Sequence, residues 1–233
     1  MKSFITAVTA AALAAIPVSS APIKESEHFT LHSMGCMLLQ ECVEDVKEVK
    51  SISDIDSEIP STNYDFVAVE FDSLLGSLNE VGAKVFLADQ KYFPVGHRGV
   101  YHTVSNNFFL NKAYMHRPGM LMSVMRHEGW HAAQDCMAGT INNSLIAIIL
   151  PEDSVPSMYQ EIVKATYKDQ PNAIPWEKEA YWAGKTEGMT AKALKPCARG
   201  TMWTDYEPTP LTRKYLVEEG YLCLLYTSDA ADE

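Results

Sequence analysis

Two histidines four residues apart, with a glutamate directly after the first, are the residues of this sequence best suited to chemistry: Arg126-His127-Glu128-Gly129-Trp130-His131. On an α-helix, positions i and i+4 share a face one turn apart. His127 and His131 can therefore present imidazole nitrogens to one ion, and the spacing suits Zn²⁺. Glu128 then stands beside the pair as a base for a water that such an ion acidifies. The competing reading is a pair of hydrogen-bonded histidines on a structural helix. The surrounding sequence has to decide between them.

A catalytic zinc usually takes three protein ligands and keeps one position open. A third histidine six residues after His131 would mark a metzincin-like set, and that position is Met137. A carboxylate is the other common ligand. Glu177-Lys178-Glu179-Ala180-Tyr181, beginning 46 positions after His131, supplies two. On a helix Glu177 and Glu179 lie about 200° apart, so only one can face the ion. Attack of a metal-activated water on a carbonyl would also need a donor for the developing oxyanion, for which Tyr181, His102 and His116 are the candidates.

Together, the His127/Glu128/His131 motif and the downstream Glu177-x-x-Ala180 pattern resemble the gluzincin class of zinc metallopeptidases, particularly its small single-domain members with a Glu-x-x-Ala-Asp helix. The resemblance covers residues 84–194. It implies Glu177 as third ligand ahead of Glu179, Glu128 as general base, and one Zn²⁺ per chain. Tyr181 stands where that pattern has an aspartate orienting a ligand histidine; Asp135, one turn after His131, is the substitute on the motif helix. Gly99-Val100-Tyr101 followed by Asn107 to Asn111 resembles the edge of such enzymes, where an extended peptide adds as a further strand. The implied fold is α+β and zincin-like, a small, mostly antiparallel sheet packed on the motif helix and a second, ligand-bearing helix. The implied activity is hydrolysis of peptide bonds. A secreted binding protein that keeps the zincin fold without catalysis is the alternative, and an accidental motif in a disulfide-stabilised structural protein is the third.

Such a site needs elements to hold it. Pro118 to Ala138 supplies the motif helix: Pro118 suits a first turn, Met122, Met125 and Ala132 line an apolar side, and Gly139 caps the end. Gly129 within it costs roughly 1 kcal/mol against Ala, and reads either as a close approach or as simple tolerance. The second helix runs from Trp176 to Leu194, between Pro175 and Pro196-Cys197. Lys84 to Leu87 is a strand, and Val100 to Val104 with Asn107 to Leu110 form a hairpin about Ser105-Asn106. Upstream, apolar spacing predicts a helix from Ser33 to Val49 and a polar connector from Ser51 to Asp65. After it comes either a strand from Phe66 or a helix from Phe71 to Val81. Leu145 to Leu150 is apolar enough to be buried, a short helix spans Ser157 to Tyr167, and a last one starts at Thr212 within an irregular stretch, 200–222.

The 233 residues, 47% hydrophobic and 21% charged, can fill the core of one sizeable domain. The division read from them is a leader over 1–21, an N-terminal helix and connector over 22–65, and the metallopeptidase-like domain over 66–222. Lys2, the uncharged Ala-rich run from Phe4 to Ile16, and the small residues Pro17 to Ala21 have the layout of a secretory signal peptide. Cys223 to Glu233 reads like a translated sequencing adaptor and is set aside as a scar. That leaves Cys36, Cys42, Cys136 and Cys197, an even number that in an exported chain favours two disulfides. Cys36 and Cys42 point to different faces of the expected helix, so each is expected to pair elsewhere. A net charge of −11 argues against nucleic acid or anionic membrane as the main partner. No apolar run is long enough for a conventional membrane span. The expectation is a secreted or periplasmic protein with a peptide or protein substrate.

Overall fold

The computed structural model describes residues 29–141 and 144–222; the leader read at 1–21 and the adaptor-like tail at 223–233 lie outside the described residues. The first elements are α1 (Leu31–Leu38), β1 (Val46–Glu48), α2 (Ile52–Glu58), α3 (Asp65–Glu80), β2 (Lys84–Ala88), β3 (Gly99–His102) and β4 (Asn107–Asn111). Then follow α4 (Pro118–Met137), α5 (Ser157–Thr166), α6 (Ile174–Lys185), α7 (Met189–Arg199), α8 (Met202–Asp205) and α9 (Pro210–Glu218).

The strands form one sheet in the order β1-β2-β4-β3. β1 runs antiparallel to β2 and β3 antiparallel to β4, but β2 and β4 are parallel, so the sheet is mixed. Alternation along each strand feeds two cores. Val85, Leu87, Phe108 and Leu110 face the larger core with α3 and α4, whereas Phe86, Ala88 and Phe109 face a smaller one with Met34 and Met37 of α1. Burial on both faces explains why β4 reads as a nearly unbroken apolar run.

α4 is the central helix. From Leu121 to Met137 every residue except Arg126 is buried, so the helix is enclosed rather than amphipathic. Arg126 instead reaches Glu70 of α3, its Nε donating to the carboxylate at 2.7 Å. Two glycines let neighbours approach. A Cβ on Gly129 would meet Thr190 of α7 at 3.0 Å, so this glycine serves a helix contact. A Cβ on Gly184 of α6 would come within 3.0 Å of the Ser123 carbonyl and 3.3 Å of the His127 Cβ.

Several expectations are corrected. The helix from Ser33 ends at Leu38, and the chain reverses at Gln40 (φ 58°) to reach β1. The reversal brings Cys36 and Cys42 together, with Cα atoms 5.1 Å apart, so they bond to each other rather than elsewhere. Cys136 of α4 then bonds Cys197 of α7, with Cα atoms 5.7 Å apart. The connector contains α2, and the ambiguous stretch after it is helical throughout as α3. The second long helix is broken at Gly188 (φ 75°), which starts α7 in a left-handed conformation, and Pro196 lies inside α7 rather than after it. Residues 200–222 hold α8 and α9. Of Leu145 to Leu150 only Ile149 is buried, and the stretch is irregular.

The Gly184 contact is with backbone, which cannot turn away as a side chain can. Gly184→Ala is therefore expected to force α4 and α6 apart and cost about 1–3 kcal/mol, read as a lower thermal midpoint. An unchanged midpoint would show that the two helices are not in close contact there.

Candidate metal centre

α4 and α6 pack with two rows of side chains opposed. Ser123, His127 and His131 repeat at every fourth position of α4, as do Glu177, Tyr181 and Lys185 of α6. The rows bring His127, His131 and Glu177 to one point, where a ligand atom from each lies within 4.8 Å of the others. The two Nε2 atoms are 3.2 Å apart. Glu177 Oε2 is 3.3 Å from Nε2 of His127, and Oε1 is 3.7 Å from Nε2 of His131. This group could hold a metal ion.

The hydrogen bonds around it fix which nitrogen faces inward. Glu179 is turned away from the three and accepts from Trp130 Nε1 (3.1 Å), Gln134 Nε2 (2.8 Å) and the backbone N–H groups of Ile149 and Leu150. Gln134 Nε2 also donates to the Trp176 carbonyl, so its Oε1 is the acceptor end and takes the proton on His131 Nδ1 at 2.8 Å. His131 Nε2 is left with its lone pair towards Glu177 and His127, as a metal ligand requires. The competition between Glu177 and Glu179 is thus a division of labour: one carboxylate meets the histidines, the other orients one of them through Gln134.

Charge balance agrees with a cation here. Burial holds His127 down to about 3, helped by the charge of Lys185 and opposed by the Ala180 carbonyl. Burial likewise holds His131 down to about 4, so both rings are neutral. Burial raises Glu128 well above the usual carboxyl range, and the adjacent Glu177 raises it further; the Tyr101 backbone N–H only partly offsets this. Glu177 is raised by the same loss of solvent, against the pull of His131 and Tyr167. Neither oxygen of Glu128 or Glu177 receives a hydrogen bond of ordinary geometry, although the Tyr167 hydroxyl lies alongside Glu177. With two neutral imidazoles beside Glu177, and no Lys or Arg paired to Glu177 or Glu128 among the described residues, the His127, His131 and Glu177 donors could hold a metal ion.

Glu128 sits against the edge strand β3. A Cβ on Gly99 would strike Val124 at 2.6 Å and Glu128 Cγ at 3.2 Å, so the strand reaches the acid only because that residue has no side chain. Tyr181 is buried, its ring near those of Tyr159 (5.9 Å) and the Lys185 ammonium (5.5 Å). His102 bonds Ser105 in the β3–β4 turn, and His116 is exposed with Nδ1 near the Ala113 carbonyl; neither joins the group. Asp135 does not orient a ligand histidine in place of the expected aspartate: it accepts from the Tyr101 hydroxyl at 3.0 Å, and Gln134 has the histidine. Two residues were missed. Gln134 was readable in principle, three positions after His131 on the same helix, whereas Tyr167 follows α5 and nothing local marks it. Burial drives its hydroxyl up, and the charges of Glu177 and Glu128 raise it further.

Glu177→Ala is expected to abolish metal binding, whereas Glu179→Ala should keep it with affinity reduced roughly 10- to 100-fold, as measured by zinc titration. The reverse pattern would exchange the two roles. Asp135 is a second test. Burial pushes it to about 8 from 3.8, with the Tyr101 hydroxyl opposing. An acid raised on folding stabilises the fold below its unfolded value, and that contribution is lost as pH rises towards the folded value. Asp135→Asn keeps the acceptor and removes the charge, so by about pH 8 the variant should be more stable in urea by on the order of 3 kcal/mol. Parallel pH profiles would rule out a buried neutral acid. Compared with known proteins, no family model matches this chain, and no curated protein or solved structure matches it either.

Proposed function

We propose that this chain is an exported zinc metallopeptidase of the gluzincin type, cleaving peptide bonds with Zn²⁺ held by His127, His131 and Glu177. The observation that carries this reading is the meeting of two imidazole nitrogens and a carboxylate between α4 and α6, with Glu128, next to His127 on α4, buried and without a hydrogen-bond partner. When bound, Zn²⁺ supplies Lewis acidity that acidifies water and polarises a carbonyl.

The chain's own residues do the rest. Glu128, buried and without a hydrogen-bond partner among the described residues, is the general base that accepts a proton and returns it to the leaving amine. β3 lies at the sheet edge, and the missing side chain of Gly99 lets it touch Glu128. An extended peptide adding to that edge would bring its backbone past the acid. Tyr167, protonated at every relevant pH, can donate to a developing oxyanion, the part first sought for Tyr181. The two disulfides suit an oxidising compartment, in keeping with export.

One observation favours a second reading. His127, Glu128, His131 and Glu177 are at most 1% exposed, so a peptide reaches them only if their cover moves. A metal-stabilised binding protein of zincin fold needs no such opening. Glu128→Gln separates the two: it should retain one zinc per chain while hydrolysis of a peptide library falls by roughly 100-fold or more. Wild type that binds zinc but cleaves nothing would support the binding protein, and equal activity in both forms would remove Glu128 from the reaction.

A further inference from the structure

Gly99 is the only glycine within the described strands, and its backbone gives no reason for one. Its φ lies outside the left-handed region, and a larger residue would suit a strand better. What the position requires is room. Of the three atoms nearest to a Cβ built there, one is Val124 Cγ1 at 2.6 Å and the other two belong to Glu128, Cγ at 3.2 Å and Oε1 at 3.3 Å.

The strand cannot step back to make that room. Gly99 pairs with Leu110 of β4, and the Arg98 carbonyl before it accepts from the Asn111 N–H at 2.9 Å. Val100 faces the smaller core, whereas Tyr101 faces the larger one on the same side as Gly99. Tyr101 donates its hydroxyl to Asp135 at 3.0 Å, and Asp135 lies about two turns beyond Glu128 on α4. β3 is thus held by the sheet along one edge and by α4 across one face. Glu128 has no comparable tether: both its oxygens are buried, and neither takes a hydrogen bond of ordinary geometry. Packing rather than hydrogen bonding places its carboxyl group, and the bare backbone at Gly99 is one wall of that packing.

We infer that Gly99 is a positioning residue for Glu128: the β3 backbone sets where the carboxyl group stands, and the Tyr101–Asp135 bond fixes the height of the strand along α4. Its effect on rate rests on the metallopeptidase reading, whereas the placement of the side chain does not. Gly99 brings no reacting group of its own and acts through the acid. A general base must stand within hydrogen-bond reach of the proton it takes, and a misplacement of about 1 Å costs on the order of 100-fold in rate.

The test separates Glu128 from Val124, the other neighbour. In full-length, zinc-loaded protein, Val124→Ala removes the nearest atom, and Gly99→Ala or Gly99→Val is then added to it. With a quenched fluorescent peptide library, Val124→Ala alone should keep kcat. Adding Gly99→Ala should lower kcat roughly 10-fold and adding Gly99→Val roughly 100-fold, with KM and one zinc per chain retained. Zinc content and thermal midpoint check folding, and Gly99→Ala decides if the larger substitution unfolds the protein. Equal kcat in all three proteins would mean that the glycine only makes room for Val124, and would overturn the inference. So would a raised KM at constant kcat, which would put Gly99 against the peptide instead. Crystal structures of the Val124→Ala protein with and without the change at Gly99 give a readout that needs no catalysis, a displaced Glu128 carboxyl group. Displacement in a protein whose wild type cleaves nothing would keep the positioning role and remove the hydrolase. An unmoved carboxyl group with active wild type would do the opposite.

Discussion

The close packing of α4 on α6 is the contact from which the candidate centre follows. Gly184 allows the α6 backbone to lie against the Ser123 carbonyl and the His127 Cβ, and no larger residue fits without moving a helix. At that separation the fourth-residue repeats of the two helices face each other. Histidines and a carboxylate that are 46 or more positions apart in sequence then share one volume. Thr190 against Gly129 and the Cys136–Cys197 bond fasten α7 to the same central helix, so α4 is gripped along most of its length. The sheet closes another side, through Gly99 against Glu128.

Polar groups enclosed in this way need partners, and the pattern of satisfied and unsatisfied groups separates structural from chemical residues. Glu179 is surrounded by donors and is the anchor of a chain that passes through Gln134 to His131. Glu128 and Glu177 are as deeply buried but poorly satisfied, which is where chemistry or a cation belongs. Two carboxylates two residues apart on one helix thereby do different work because opposite faces meet different neighbours.

The central helix was legible because its signals are local: Pro118 opens it, Gly139 follows it, and the histidine spacing itself is helical. The β2 strand and the β3–β4 hairpin were legible for the same reason. The error at Ser33 to Val49 came from an apolar stripe that continues by coincidence across a chain reversal. That reversal is made by Gln40 and Asp45 in left-handed conformations that glycine would have advertised. In α3, exposed Phe66 and Val69 blurred the helical pattern that Phe71, Leu74, Leu75 and Leu78 would otherwise have made plain. The motif could be read from types and spacing, whereas those left Glu177 and Glu179 open and only the resemblance put Glu177 ahead. Gln134, Tyr167 and the amides of Ile149 and Leu150 could not be ranked, because their roles depend on which faces tertiary packing turns towards each other.

The closure of the centre has a kinetic consequence. Its four polar side chains are sealed, each at most 1% exposed. An ion seated there would not leave by ligand dissociation alone, because the packing around it would also have to open. The lifetime of the closed state would then set an upper bound on the rate at which a chelator removes the ion, however tightly the ligands hold it.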